Sequence, residues 1–338
     1  MSRDALEQNQ IPIYFVAVIA AAIGGLIAPA AAQSLNALVT PTIAVLMYAM
    51  FLQIPFLDFR ESLSNKRFMS ALLIANFVLI PLLVWALTRG LAEHPAVLIG
   101  ALLVLLTPCI DYVVVFTHIG RGDSRAILAA TPILLLLQLA LLPVYLAFML
   151  GEQSQVVISI APFAEAFLAL IVAPLLLAVA TAALAKRSRV VDSWNTVWAW
   201  MPVPAMAAVL IAVVGSQISP VVRDIDQLLP VIPVYIGFML LAPVVGALAS
   251  RAYKLPSSTA RAVTFSTSTR NSLVVLPLAL ALPEEIRGLA AAAVITQTLV
   301  ELVGELVYIR AVPILIWRKK AAEDVTGTVT AHIERYLR

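Results

Sequence analysis

Long apolar runs alternate with short polar or proline-marked turns along almost the whole chain. Breaking the runs at those turns gives ten segments, near 12–32, 36–57, 68–88, 95–118, 124–150, 157–185, 195–217, 227–250, 260–282 and 286–317. A helix needs roughly 20 apolar residues to cross the hydrocarbon core of a bilayer, and the segments are of that length. The pattern therefore predicts ten transmembrane helices. Composition agrees: 62% of the residues are hydrophobic, 12% are charged and mean hydropathy is +0.99. A soluble domain carries about a quarter charged and just under half apolar residues. The first run ends in Ala28-Pro-Ala-Ala-Ala-Gln33, a loose likeness to a signal-peptide cleavage site. Arg3 is offset there by Asp4 and Glu7, and the run exceeds the roughly 7–15 residues of a signal core, so it reads as the first membrane helix.

Loop charge then orients the segments, because short cytoplasmic loops retain Lys and Arg. The even-numbered connections hold Arg60, Lys66 and Arg67, then Arg121 and Arg125, then Lys186, Arg187 and Arg189, then Arg251, Lys254 and Arg261; Arg318, Lys319 and Lys320 follow the last segment. The opposite side has Arg89, Arg223 and Arg287, accompanied by Glu93, Asp224 and Glu284. Both termini are expected in the cytoplasm, with the chain in the cell (inner or plasma) membrane. The net charge of +3 is thus a topology signal and no sign of nucleic acid binding.

Sliding the chain against itself by 163 residues lays segments two to five over segments seven to ten. Pro108 falls on Asn271, Gln138 falls on Glu301, and Thr107-Pro-Cys-Ile-Asp111 falls on Arg270-Asn-Ser-Leu-Val274. Five helices per half is an odd number, so the second copy starts from the other side of the membrane. The expected fold is an all-α integral membrane protein: ten transmembrane helices in two inverted five-helix repeats, with discontinuous helices four and nine. The repeats cover 1–155 and 156–317, and residues 318–338 form a polar cytoplasmic tail. Inverted repeats with paired interrupted helices are a secondary-transporter architecture, with the substrate site at the breaks.

Three clusters carry candidate chemistry. In segment four, Thr107, Pro108, Cys109 and Asp111 put a proline and a carboxylate mid-membrane; proline removes a backbone donor and breaks the helix. The second half-helix would point its N–H groups toward Cys109, the only cysteine, which excludes an intramolecular disulfide and a four-thiolate metal site. Segment nine offers Thr264-Phe-Ser-Thr-Ser-Thr-Arg-Asn-Ser272, in which Ser268, Arg270 and Asn271 must face protein or water. Alternatively, those hydroxyls bond only to their own helix carbonyls. Segment ten carries Gln297, Glu301 and Glu305, four apart and so on one helix face, a stripe that invites a coupling proton. Asp111 is a second candidate for that role and Glu165 a weaker one. His94, His118 and His332 fall near membrane edges or in the tail, and no nucleophile–base pair is recognisable, so no enzyme and no cofactor is expected.

The ten spans and the interrupted segments four and nine resemble the bile acid/sodium symporter superfamily. Thr107-Pro-Cys-Ile110, Phe265-Ser-Thr-Ser-Thr-Arg-Asn271 and Leu299-Val-Glu-Leu302 resemble its arsenical-resistance branch, the arsenite efflux permeases. That resemblance implies arsenite export, with Cys109 as a transient arsenic ligand and Glu301 as the second transport residue. Asp111 and Arg270 depart from the permease pattern, which keeps a carrier of a small organic anion open, with Arg270 pairing the substrate carboxylate. Arg270 also stands where an acid would help hold a cation, which favours protons over sodium as the coupling ion.

Overall fold

The computed structural model describes residues 6, 9–53, 65–110, 113–150, 168–223 and 225–316. Asp111, Glu165 and the tail from 318 lie outside them. The described residues are helical apart from short connections and a single β-bridge. In chain order the elements are α1 (Gln10–Ile27), α2 (Pro29–Ser34), α3 (Asn36–Phe51), α4 (Lys66–Leu91), α5 (Pro95–Leu105), α6 (Val113–Ile119), α7 (Ser124–Leu150), α8 (Ala173–Ala185), α9 (Arg189–Trp198), α10 (Pro202–Arg223), α11 (Val231–Ala252), α12 (Ser257–Ser268), α13 (Ser272–Leu280) and α14 (Glu284–Leu315).

Three helices, Lys66–Leu91, Ser124–Leu150 and Ile225–Ala252, are long and apolar enough to cross a membrane unaided. At 1.5 Å per residue each is about 40 Å long, more than the roughly 30 Å of hydrocarbon. Two helix pairs reach that length and apolarity only when taken together, and each is bent at its junction. Arg189–Trp198 meets Pro202–Ser216 at 49°, and Glu284–Glu301 meets Val303–Leu315 at 42°. The first bend departs from the sequence expectation, which began a membrane segment at 195. In the structure α9 is a separate amphipathic helix with no buried residue, Val190 and Val197 facing outward, and α10 starts afresh at Pro202, a residue suited to a first helical turn. Segment one is likewise divided, α1 ending at Ile27 and α2 starting at Pro29.

The helices pack into two bodies, each drawn from both the earlier and the later part of the chain. In one, α10 lies against α1, α2 and α3, and α8 joins α3 to α9. In the other, α11 and α12 pack together, α14 packs on α5 and α13, and α4, α6 and α7 close the sides. The bodies touch mainly where α10 and residues Ile225–Leu228 meet α14 and where α3 meets α13. Small residues let backbones approach within the second body, as between membrane helices generally. A Cβ added at Gly100 of α5 would strike the Ala290 carbonyl of α14, and one at Gly246 of α11 would lie 2.7 Å from Thr264 Cα of α12.

The two basic connections after α6 and α11 meet at one end of this body. The Asp123 amide donates to the Ser258 carbonyl at 3.0 Å, and Arg261 Nη1 donates to the Arg121 carbonyl at 3.2 Å. Arg121 and Lys254 have φ of 58° and 52°, the left-handed conformation of a tight turn.

Candidate functional site

Two helices are interrupted side by side in the second body. Segment four stops at Leu105, because Pro108 has no N–H and the Thr107 hydroxyl folds back on the Leu103 and Val104 carbonyls at 3.0 and 3.1 Å. Segment nine stops at Ser268; Thr269 is extended, and Asn271 restarts the chain by accepting the Val274 amide on its side chain at 3.2 Å, an N-cap. The orphaned backbone groups of each break satisfy those of the other. The Cys109 amide donates to the Thr269 carbonyl at 3.0 Å and the Asn271 amide donates to the Thr107 carbonyl at 2.8 Å, an antiparallel bridge between Pro108 and Arg270.

Arg270 is fully buried, and its guanidinium is held by protein. Nη2 donates to Asn76 Oδ1 at 2.9 Å and to the Ser266 carbonyl at 2.6 Å, Nη1 reaches the Leu105 carbonyl at 3.4 Å, and the group lies 5.4 Å from the centroid of the Phe238 ring. Asn76 belongs to a π-helical turn of α4, Ala75–Leu79, and its Nδ2 donates to Leu72 O and Ser266 Oγ, both at 3.1 Å. Such wide turns recur at functional sites. Sequence reasoning passed over Asn76; its signal was an isolated carboxamide inside an otherwise apolar span.

Gln297, Glu301 and Glu305 lie buried on the face of α14 that meets the breaks. Glu301 Oε2 accepts the Arg270 backbone N–H at 2.9 Å and the amide of Gln297. Glu305 Oε1 lies 2.6 Å from Thr269 Oγ1. One turn further on, the Tyr308 hydroxyl donates to the Met239 carbonyl of α11.

The breaks thus gather Thr107, Pro108, Cys109, Arg270, Asn271, Gln297, Glu301 and Glu305 around one crossing. Ser268 lies beside it, but its hydroxyl donates to the Thr264 carbonyl at 2.7 Å; Thr264, Thr267 and Thr269 likewise bond carbonyls of their own helix. Several buried polar atoms have no hydrogen-bond partner: Asn271 Nδ2, Ser272 Oγ, Gln297 Oε1, Glu305 Oε2 and both amide atoms of Gln138. Such atoms cost free energy unless something meets them, and a site that binds and releases cargo leaves them so. Among the described residues no group of three or more His, Cys, Asp or Glu side chains is arranged to hold a metal ion.

The sequence profile of a known family, described as Sodium Bile acid symporter family, matches residues 40–224, from α3 through α10. No curated protein matches the chain.

Proposed function

Because the chain belongs to the sodium bile acid symporter family, whose members are membrane transporters and not enzymes, we propose that it is a secondary carrier exporting arsenite in exchange for protons. The observation that carries this reading is the Pro108–Arg270 bridge, which sets one thiol and two buried acids around the crossing of two interrupted helices. Interrupted helices meeting at the midplane suit alternating access, in which one packed body rocks against another around a fixed site. Arsenic(III) is thiophilic, so Cys109 is an apt ligand for neutral arsenous acid. One thiol holds the cargo without trapping it as three would. The coupling proton is taken up by one of the two buried acids of α14.

The same reading takes the fold as two inverted five-helix repeats, 1–155 and 156–317, followed by the tail 318–338. The pairing of two interrupted helices, one from each half of the chain, supports that symmetry. Contact between the two basic connections supports placing both on the cytoplasmic side. The test is arsenite uptake into everted vesicles under an imposed pH gradient. Wild type is expected to accumulate arsenite and Cys109→Ala to lose that ability; equal uptake by the two would refute the thiol's role.

The family match itself favours a second reading, import of a small organic anion coupled to sodium or protons. Gln297 Oε1 and Ser272 Oγ are unpartnered oxygens of the kind a hard cation takes. Engagement of the Arg270 guanidinium with Asn76, Ser266 and Leu105 weighs against its pairing a substrate carboxylate. Sodium dependence of uptake, with organic acids as competitors, separates the two.

A further inference from the structure

Thr269 stands between the crossing and Glu305, and its hydroxyl has two oxygen neighbours. Oγ1 lies 2.7 Å from the Phe265 carbonyl oxygen and 2.6 Å from Glu305 Oε1. A threonine hydroxyl has one proton to donate, and a carbonyl and an ionised carboxylate are both acceptors only. Two such contacts are satisfied together when the carboxyl supplies the second proton. Glu305 O–H then donates to Thr269 Oγ1, and Thr269 O–H donates to the Phe265 carbonyl. Glu305 Oε2 is buried with no hydrogen-bond partner, which a neutral carboxyl tolerates far better than a carboxylate does.

Glu301, one turn away, has the opposite surroundings. Its Oε2 accepts two N–H donors, the Arg270 backbone amide and the Gln297 carboxamide, both of which match a carboxylate. From this contrast we infer that Glu305 is the residue that binds and releases the coupling proton, while Glu301 stays ionised and pins the second break. The inference rests on the carrier reading above and names its proton site. When water reaches Glu305, the proton leaves Oε1, and the Thr269 hydroxyl turns its own proton from the Phe265 carbonyl onto the carboxylate. The Thr269 carbonyl accepts the Cys109 amide across the crossing, so this exchange takes place in the residue that holds the thiol's backbone.

The ionisable groups beside Glu305 are Glu301 and Tyr308 on its own helix; Arg270 and Cys109 stand at the crossing. Of the other elements packed on α14, α5 and α13 bring no titratable side chain. Helix α11 brings Tyr235, whose hydroxyl donates to the Ala293 carbonyl, and Arg251 in its last turn; α12 brings Arg261, which reaches the Pro313 carbonyl. His118 of α6, Arg223 in the last turn of α10 and Asp226 stand at the ends of their helices.

The test is infrared spectroscopy of the full-length protein in lipid at neutral pH, where exposed carboxyls are ionised and absorb apart from a protonated acid. Wild type is expected to show a protonated-carboxyl band that is lost in Glu305→Gln and kept in Glu301→Gln. Thr269→Val, which removes the acceptor, should shift the band, and Thr269→Ser should restore it. Retention of an unshifted band in Glu305→Gln overturns the assignment, as does its loss in Glu301→Gln with Glu305 intact. A parallel measurement of arsenite flux in proteoliposomes should show Glu305→Gln insensitive to the pH gradient. If wild type moves no arsenite, the cargo reading fails, and the infrared result still decides Glu305.

Discussion

The two bodies hide different things from lipid. Among the described residues, the body of α1, α2, α3, α8, α9 and α10 buries apolar side chains and few polar ones, chiefly Thr181 and Ser216, with a small polar cluster in which Trp194 Nε1 donates to the Tyr48 hydroxyl, which lies 3.0 Å from Thr181 Oγ1. The other body buries a guanidinium, two carboxyls, four carboxamides and a run of hydroxyls, most of them around the crossing. Apolar packing costs nothing in a bilayer, whereas a buried polar network is retained only where partners or cargo meet it. The first body is therefore read as a frame and the second as the part that handles cargo. Substitutions can break or sharpen that division.

The largest effect is expected from Arg270→Ala, which strips Asn76 Oδ1, Ser266 O and Leu105 O of their donor. Hydrogen bonds to a charged group contribute about 1.5–3 kcal/mol each, so losing two or more lowers stability by roughly 3–5 kcal/mol. Transport should vanish with folded yield, measured by thermal unfolding in detergent, and Arg270→Lys should not restore it, lacking the planar fork. Next is Gly246→Val, where the new side chain meets the α12 backbone; overpacking of this kind costs about 1–3 kcal/mol, expected here near the upper end. Asn76→Ala should cost roughly 2 kcal/mol by leaving an Arg270 N–H short of an acceptor, with flux falling more than stability alone explains. Tyr48→Phe, in the frame, should cost about 1 kcal/mol and leave the flux per folded molecule unchanged. A transport defect in Tyr48→Phe as deep as that in Asn76→Ala would erase the distinction between the bodies.

The elements that a one-dimensional pattern can carry were legible. Segment five, read as 124–150, is α7 at those bounds, and the breaks fell at Pro108 and between Ser268 and Ser272 because proline and a run of hydroxyls advertise them locally. The stripe of Gln297, Glu301 and Glu305 follows from helical spacing alone. What joins distant parts of the chain was not legible. The π-turn at Asn76 leaves no periodic trace, and the capture of Arg270 by Asn76 links residues 194 apart. The grouping of helices into bodies that cut across both halves depends on which faces meet, and uniformly apolar helices hide that.

The bridge at the crossing is made between peptide groups. Neither the Cys109–Thr269 nor the Thr107–Asn271 hydrogen bond uses a side chain, so the bridge makes no demand on what residue 109 carries. The carboxamide at 271 is not so unconstrained, because it also caps the helix that follows. A carrier assembled in this way can be retuned to a new cargo by one replacement at position 109, with no change in how the chain is threaded.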